Sequence, residues 1–129
     1  RGVFALDTAL FLHDLTDRTP HKFHMAFPYG YNTSSPKAAG ILCSCKKEPY
    51  YSLGIALVDT PAGNTVRVYN AEKTLCEILK PISHTDIQII TDAFKRYAGR
   101  KDKNIPLLSE YAHQLRVEKR LRPYLEVLL

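Results

Sequence analysis

The sequence predicts an α+β fold in which a small, mainly antiparallel sheet packs against C-terminal helices. Its 129 residues fit a single domain spanning 1–129 and leave little room for a second. Apolar residues alternate with others between residues 22 and 69, which is the period of a strand, and they recur at helical spacing after Asn70. Strands and helices therefore occupy separate blocks of the chain, and this segregation favours α+β over a doubly wound parallel sheet.

The first half of the chain carries one helix signal and four strand signals. A short helix is predicted over residues 7–13, followed by polar residues that end in a proline. Strands are predicted near residues 22–27, 41–45, 53–59 and 65–69. The last two form a hairpin, because the residues from Thr60 to Asn64 include a proline and a Gly-Asn pair suited to a turn. Residues 32–37 are polar and contain a proline, which predicts a loop.

Helix signals fill the rest of the chain. Asn70 is the predicted N-cap of the first helix, which a following proline ends. The next helix is predicted to begin with Ser83 as its cap and to end at Gly99. A third begins near Asn104, with a proline in its first turn. The last helical pattern runs to the C-terminus, and Pro123 is expected to kink or split it.

The excess positive charge is concentrated in the last third of the chain. The formal net charge is +5. Residues 1–90 carry nine Lys or Arg and eight Asp or Glu, a balance of +1, whereas residues 91–129 carry nine and five, a balance of +4. This asymmetry indicates a polyanionic partner such as nucleic acid, but cations that complement helix C-termini or cover a solvated face would look the same. The candidate nucleic-acid-binding residues are Lys95, Arg96, Arg100, Lys101, Lys103, Arg116, Lys119, Arg120 and Arg122.

The motifs of common enzymes are missing from the sequence. It contains no Gly-x-Ser-x-Gly nucleophile turn, no glycine-rich phosphate loop and no acid-x-Lys pair on a predicted strand. The five histidines are scattered rather than grouped with a nucleophile. We therefore predict no catalytic residue, no cofactor and no enzymatic activity.

Three cysteines are present, Cys43, Cys45 and Cys76. An odd number without a secretory signal favours free thiols in a reducing compartment. A zinc site needs about four ligands, usually in paired clusters, so we predict no bound metal. Cys43 and Cys45 alternate on one face of a predicted strand, where we expect them to be buried or half-buried.

The sequence carries no membrane or export signal. No apolar run approaches the ~20 residues that span a bilayer, and the N-terminus does not resemble a signal peptide. We expect a soluble, cytoplasmic protein without membrane contact. The first residue is Arg1 rather than Met, which favours a piece of a longer protein.

An ordered set of short motifs, covering nearly the whole chain, resembles a known family. In sequence order the matching segments are 2–4 (GVF), 8–20 (TALFLHDLTDRTP), 27–32 (FPYGYN), 54–55 (GI), 60–69 (TPAGNTVRVY), 73–78 (KTLCEI), 86–88 (DIQ) and 124–128 (YLEVL). The chain resembles the C-terminal antitoxin domain of the AbiEi family of abortive-infection proteins. It departs from the family in having Lys73 where Arg is frequent and Glu77 where Asp is frequent, and both changes keep the charge.

The resemblance implies a function that composition and periodicity do not reveal. AbiEi proteins are type IV antitoxins of bacterial phage-defence systems, and they neutralise a nucleotidyltransferase-like toxin without a stable complex. They also repress their own operon, binding promoter DNA through an N-terminal winged helix-turn-helix that is expected to precede this chain. Two alternatives stay open: a non-specific nucleic-acid-binding module that uses the basic C-terminal third, and an unrecognised enzyme that reverses the toxin's modification.

Overall fold

Five strands and six α-helices make up the part of the chain that the computed structural model describes, residues 2–128 without the side chain of residue 127. The strands are β1 (Val3–Phe4), β2 (His24–Pro28), β3 (Leu42–Lys46), β4 (Ile55–Asp59) and β5 (Thr65–Tyr69). The helices are α1 (Leu6–Leu12), α2 (Ser34–Ala38), α3 (Ala71–Ile78), α4 (Ile87–Ala98), α5 (Ile105–Leu115) and α6 (Glu118–Leu128). A single 3₁₀ turn, Pro81–Ser83, links α3 to α4.

The strands form one mixed sheet in the order β3-β2-β1-β5-β4. β1 pairs antiparallel with β2, and β4 with β5, whereas β1–β5 and β2–β3 are parallel. The predicted α+β class and the packing of the sheet against C-terminal helices are confirmed. The sheet is mixed rather than mainly antiparallel. The chain crosses over through α2 between the parallel strands β2 and β3, and β1 lies parallel to β5, which comes much later in the chain.

The central strand of the sheet, β1, was not predicted. It is only two residues long, too short for an alternating pattern, and it is defined by its neighbours. Val3 lies opposite Ala26 of β2, and Phe4 lies between Met25 of β2 and Val68 of β5. Its position places the N-terminal segment in the middle of the fold.

The region predicted as a polar loop contains α2. Asn32 precedes this helix, and its side-chain oxygen accepts hydrogen bonds from the backbone N–H and the hydroxyl of Ser34, at 3.0 and 2.7 Å. None of the five residues of α2 is buried. A helix that buries no residue leaves no apolar periodicity in the sequence, which is why residues 32–37 were predicted as a loop.

Three of the predicted helix ends are confirmed and one differs. Asn70 and Asn104 cap α3 and α5, accepting hydrogen bonds from Lys73 and Leu107. The cap of α4 is Asp86 rather than Ser83, because Ser83 lies in the preceding 3₁₀ turn and its hydroxyl donates to carbonyls there. Gly99 ends α4 but keeps a right-handed helical conformation instead of the left-handed one usual for glycine caps. The helix α6 continues through Pro123 without being split.

Two apolar clusters hold these elements together. The larger one lies among α3, α4, α5 and α6 and includes Phe94, which stacks on Tyr124 with 4.4 Å between ring centroids. The smaller one lies between the sheet and the helices and contains Val3, Ala26 and Tyr69. Leu6 packs against both clusters. Within residues 2–128, no helix combines the length and apolar character needed to cross a membrane.

Candidate functional site

The first group of predicted basic residues lies at the C-terminal end of α4 and in the loop after it. Arg96 is paired with Asp92 at 2.8 Å and lies 3.9 Å from Asp17. The Arg100 guanidinium makes two parallel hydrogen bonds to the Asp102 carboxylate, at 2.9 and 2.8 Å, and a third to the carbonyl of His13. These two arginines therefore stabilise the fold locally and carry little uncompensated charge.

The remaining three cations of this group, Lys95, Lys101 and Lys103, are exposed. The ammonium of Lys103 donates to the carbonyl of Arg100 at 3.3 Å, which is the helix-end contact expected of a cation beside a C-terminus. The group is thus divided, with two arginines bound to acids and three lysines facing solvent.

The second group lies at the junction of α5 and α6. Arg116 ends α5 in a left-handed conformation with φ 60°, and Lys119, Arg120 and Arg122 belong to the first half of α6. All four are exposed, and within the described residues none of them is ion-paired with a carboxylate. Within residues 2–128, all four members of this second group are therefore uncompensated, as are the three exposed lysines of the first group. Since α4 packs against α6 through Phe94, the two basic groups lie on neighbouring helices.

A lysine that was not predicted as a site residue, Lys73, is fully buried in α3. Its ammonium donates to the carbonyls of Tyr50 and Leu53 at 2.7 and 2.9 Å and lies 3.8 Å from the centroid of the Tyr69 ring. Glu77, one helical turn away, lies 3.9 Å from it. Desolvation lowers the pKa of Lys73 to about 8, although the nearby Glu77 opposes that change.

Glu77 connects the buried lysine to the surface. Its Oε2 accepts a hydrogen bond from the ammonium of Lys46 in β3 at 3.0 Å, whereas its buried Oε1 has no hydrogen-bond partner. A row of three charged side chains thus runs from the sheet edge into the core, and it consists of Lys46, Glu77 and Lys73. Gly54 fits against this row: its φ is +81°, and a Cβ there would come within 2.8 Å of the Lys73 Cβ. A larger residue at position 54 would push Lys73 out of place.

A cleft of about 420 Å³ opens beside this row of charges, between β3 and the C-terminal end of α3. We call it the β3–α3 cleft, and its polar walls contain His24, Ser44, Lys46, Glu77 and Lys80. The His24 imidazole and the Ser44 hydroxyl are hydrogen-bonded at 2.9 Å across the parallel pair β2–β3. Burial lowers the pKa of His24, so its imidazole is neutral at pH 7.

Sequence reasoning missed this cleft because its members are far apart in the chain. His24, Ser44 and Glu77 belong to three different elements, and no local spacing links them. The one available signal was polar residues on strands, since Ser44 and Lys46 alternate with Cys43 and Cys45. Two polar residues on one face of a strand are also typical of an ordinary solvated edge.

The three cysteines are free, and they differ in exposure. Cys76 is buried and Cys43 is half-buried, but Cys45 is exposed, so the expectation that both strand cysteines are at least half-buried was wrong for Cys45. Cys45 lies on β3, which is an edge strand of the sheet. Burial raises the pKa of Cys76 to about 12 and also raises that of Cys43. Among the described residues, no three His, Cys, Asp or Glu side chains cluster in a way that could hold a metal ion.

A second buried polar network joins α3 to the loop before α5. The Tyr97 hydroxyl donates to Glu72 at 2.6 Å and accepts from the backbone N–H of Asn104 at 2.7 Å. His13 makes a 2.7 Å hydrogen bond between its Nε2 and the carbonyl of Tyr69, and burial lowers its pKa. These contacts fix the positions of α1, α3 and α4 relative to one another, which is a structural role.

Known families and proteins do not identify the chain. No protein-family model matches the sequence, and comparison with curated proteins gives no significant match.

Proposed function

We propose that this chain is the antitoxin domain of an AbiEi-type abortive-infection system and acts in the bacterial cytoplasm. The observation that supports the proposal is the ordered set of motifs, together with the contacts among three of them. Segments 54–55, 60–69 and 73–78 meet at Lys73, whose side chain contacts Gly54 and the ring of Tyr69. Segments that carry the resemblance therefore contact one another in the fold.

In this proposal the domain neutralises a nucleotidyltransferase-like toxin without forming a stable complex with it. It is not an enzyme, and it belongs to a regulator that represses its own operon, with base recognition assigned to a winged helix-turn-helix. The domain itself contributes the antitoxin activity.

A rescue experiment tests the antitoxin activity of this chain alone. The nucleotidyltransferase-like toxin that the proposal places in the same operon is expressed from an unrelated inducible promoter, so that repression of the natural operon cannot account for rescue. We expect residues 1–129 to restore growth. A chain that accumulates in folded form and leaves growth as poor as an empty vector does would rule the proposal out.

A purification experiment tests the absence of a stable complex. Tagged chain and toxin are expressed together, and the toxin is expected to be absent from the eluate under conditions in which growth is restored. If the chain restores growth and the toxin co-purifies with it stoichiometrically, the chain is an antitoxin that inhibits the toxin by direct binding and not by type IV neutralisation.

A second candidate function is contact with nucleic acid. It is favoured by the four exposed, unpaired cations at the α5–α6 junction, Arg116, Lys119, Arg120 and Arg122. Lysine and arginine side chains bind phosphates by releasing counterions and do not by themselves read bases. Such a surface would support the DNA contact of a longer regulator without determining its sequence preference.

A further inference from the structure

The β3–α3 cleft carries a surplus of positive charge. Two lysines, Lys46 and Lys80, line it beside a single carboxylate, that of Glu77. Glu77 is already the partner of Lys46 and is close to Lys73. Within the described residues Lys80 has no ion pair; its ammonium lies 5.9 Å from the centroid of the Tyr50 ring. An anion that enters the cleft would therefore meet two lysines with donors to spare.

Neutral hydrogen-bond donors complement these charges. Lys46 gives one of its three ammonium hydrogens to Glu77. If the neutral His24 imidazole carries its proton on Nε2 and donates to the Ser44 oxygen, the Ser44 hydroxyl hydrogen is free to donate into the cleft. Lys46, Lys80 and Ser44 can then converge on one group of acceptor oxygens.

The donor set fits a phosphate better than a carboxylate. Planar carboxylates are bound most favourably by the fork of an arginine, whereas lysine ammoniums act as point charges around a tetrahedral anion. A phosphate monoester carries about 1.5 to 2 negative charges at pH 7, which the two lysine ammoniums of the cleft can bind.

The size and rim of the cleft fit a small molecule. Its volume of about 420 Å³ falls in the range of small-ligand pockets, roughly 300–1,000 Å³. Ile82, 82% exposed, and the partly buried Leu6 add apolar surface beside the charged wall. This surface offers a place for the organic part of a phosphate ester.

We propose that the β3–α3 cleft binds a small phosphate monoester, with Lys46, Lys80 and Ser44 contacting the phosphate and Ile82 contacting its organic part. The inference is independent of the antitoxin proposal, because it rests on the cleft alone. A free metabolite is favoured over the backbone of a nucleic acid because the donors line one concave site of small-molecule size rather than an extended groove.

Calorimetric titration of the purified chain tests the proposal. The probes are inorganic phosphate, ribose 5-phosphate, adenosine 5′-monophosphate and, as the uncharged control, adenosine. We expect saturable binding of both phosphate esters, weaker binding of inorganic phosphate and none of adenosine. Failure of both esters to bind at millimolar concentration would overturn the proposal.

Two variants and a matched control locate the binding. Lys80→Met removes an ammonium that has no ion pair, and Lys46→Met removes one that also neutralises Glu77. Each is expected to weaken ester binding by about tenfold, the effect of losing one charge-assisted hydrogen bond, whereas exposed Lys22→Met leaves it unchanged. Lys46→Met also disturbs the buried carboxylate of Glu77, so the result with Lys80→Met decides the test. The circular dichroism spectrum of Lys80→Met shows whether that variant is folded. Unchanged affinity in folded Lys80→Met would place the phosphate elsewhere and contradict the proposal.

A final titration distinguishes the source of the phosphate. A 12-nucleotide single-stranded RNA is titrated into wild-type and Lys80→Met chains. RNA binding that is tighter than ester binding and lost in Lys80→Met would assign the cleft to nucleic acid and overturn the small-molecule inference. RNA binding that is equal in the two chains supports it.

Discussion

Lys73 shows how much of this fold depends on one buried charge. Its ammonium has no exposed surface, and its neighbours are two backbone carbonyls, an aromatic ring and a carboxylate. Both carbonyls, of Tyr50 and Leu53, belong to the connection between β3 and β4. This side chain from α3 thereby helps to hold a segment of consecutive turns, to which the Tyr69 hydroxyl also donates, at the carbonyl of Tyr51.

Replacing this lysine with an apolar residue of similar length should be costly. We expect Lys73→Met to lower the free energy of unfolding by about 3 kcal/mol, because two buried carbonyls lose their donor and Glu77 loses a neighbouring cation. Urea denaturation measures the change. The control, exposed Lys101→Met, is expected to stay within about 0.5 kcal/mol of wild type. Equal midpoints for Lys73→Met and wild type would show that the buried charge contributes nothing net.

The depressed pKa of Lys73, about 8, predicts a specific pH dependence. Between pH 8 and the ordinary lysine value of 10.5, the unfolded chain keeps a proton that the folded chain has lost. The contribution of Lys73 to the free energy of unfolding therefore rises as the pH increases from 8 to 10.5. We expect the free energy of unfolding of wild type, relative to Lys73→Met, to increase from pH 8 to 10 by at most about 1.4 kcal/mol per pH unit. A flat or falling difference would contradict the assignment.

At the scale of elements, the α5–α6 junction is the part of the predicted basic surface in which every cation remains without an ion pair among the described residues. Charge counting assigned nine residues to this surface, but it did not reveal that Arg96 and Arg100 are bound to Asp92 and Asp102. Partners such as these are two and four residues away in the chain, so they lie within reach of a helix turn or a short loop. Arg122 of α6 has Glu118 and Glu126 four residues away on either side, but within the described residues it forms an ion pair with neither.

Charge reversal at this junction tests the nucleic-acid contact. The variant replaces Arg116, Lys119, Arg120 and Arg122 with Glu, and binding to a double-stranded DNA is measured by fluorescence anisotropy between 50 and 200 mM salt, the range over which phosphate contacts are lost. We expect weaker binding and a flatter dependence on salt concentration. The matched control reverses four other exposed cations, Arg18, Lys22, Lys37 and Lys47. If both variants lose the same affinity, only the net charge matters and the junction has no special role.

At the scale of the whole molecule, the helical core and the sheet are connected through shared residues. Leu6 packs against both apolar clusters, and Lys73 on α3 contacts Tyr69 on β5. Such connections favour unfolding as one unit, as is usual for domains of this size. Neither cluster is separated from the other by an unpacked segment.

Cooperative unfolding is therefore the expected behaviour. Far-UV circular dichroism reports the helices, and fluorescence reports the eight tyrosines, since the chain has no tryptophan. In urea, the two signals are expected to change together with one midpoint. Separate midpoints would indicate that the sheet and the helical core unfold independently.

The elements that bury a regular apolar face were predictable from the sequence. The hairpin of β4 and β5, the helix α3 with its Asn70 cap and the stripe of α5 all follow local periodicity and capping chemistry, and all are found in the structure. The two-residue β1 and the exposed α2 were not predictable, since neither leaves a period in the sequence.

The sequence by itself determined the α+β class, the order of most elements and the concentration of positive charge near the C-terminus. Only the tertiary structure decided that β1 lies at the centre of a mixed sheet, that Lys73 is buried, and that His24, Ser44 and Glu77 line one cleft. The physical reason is the range of the interactions. Backbone propensity, capping and amphipathic periodicity act over a few residues, whereas sheet order, desolvation and ion pairing between elements depend on residues brought together by folding.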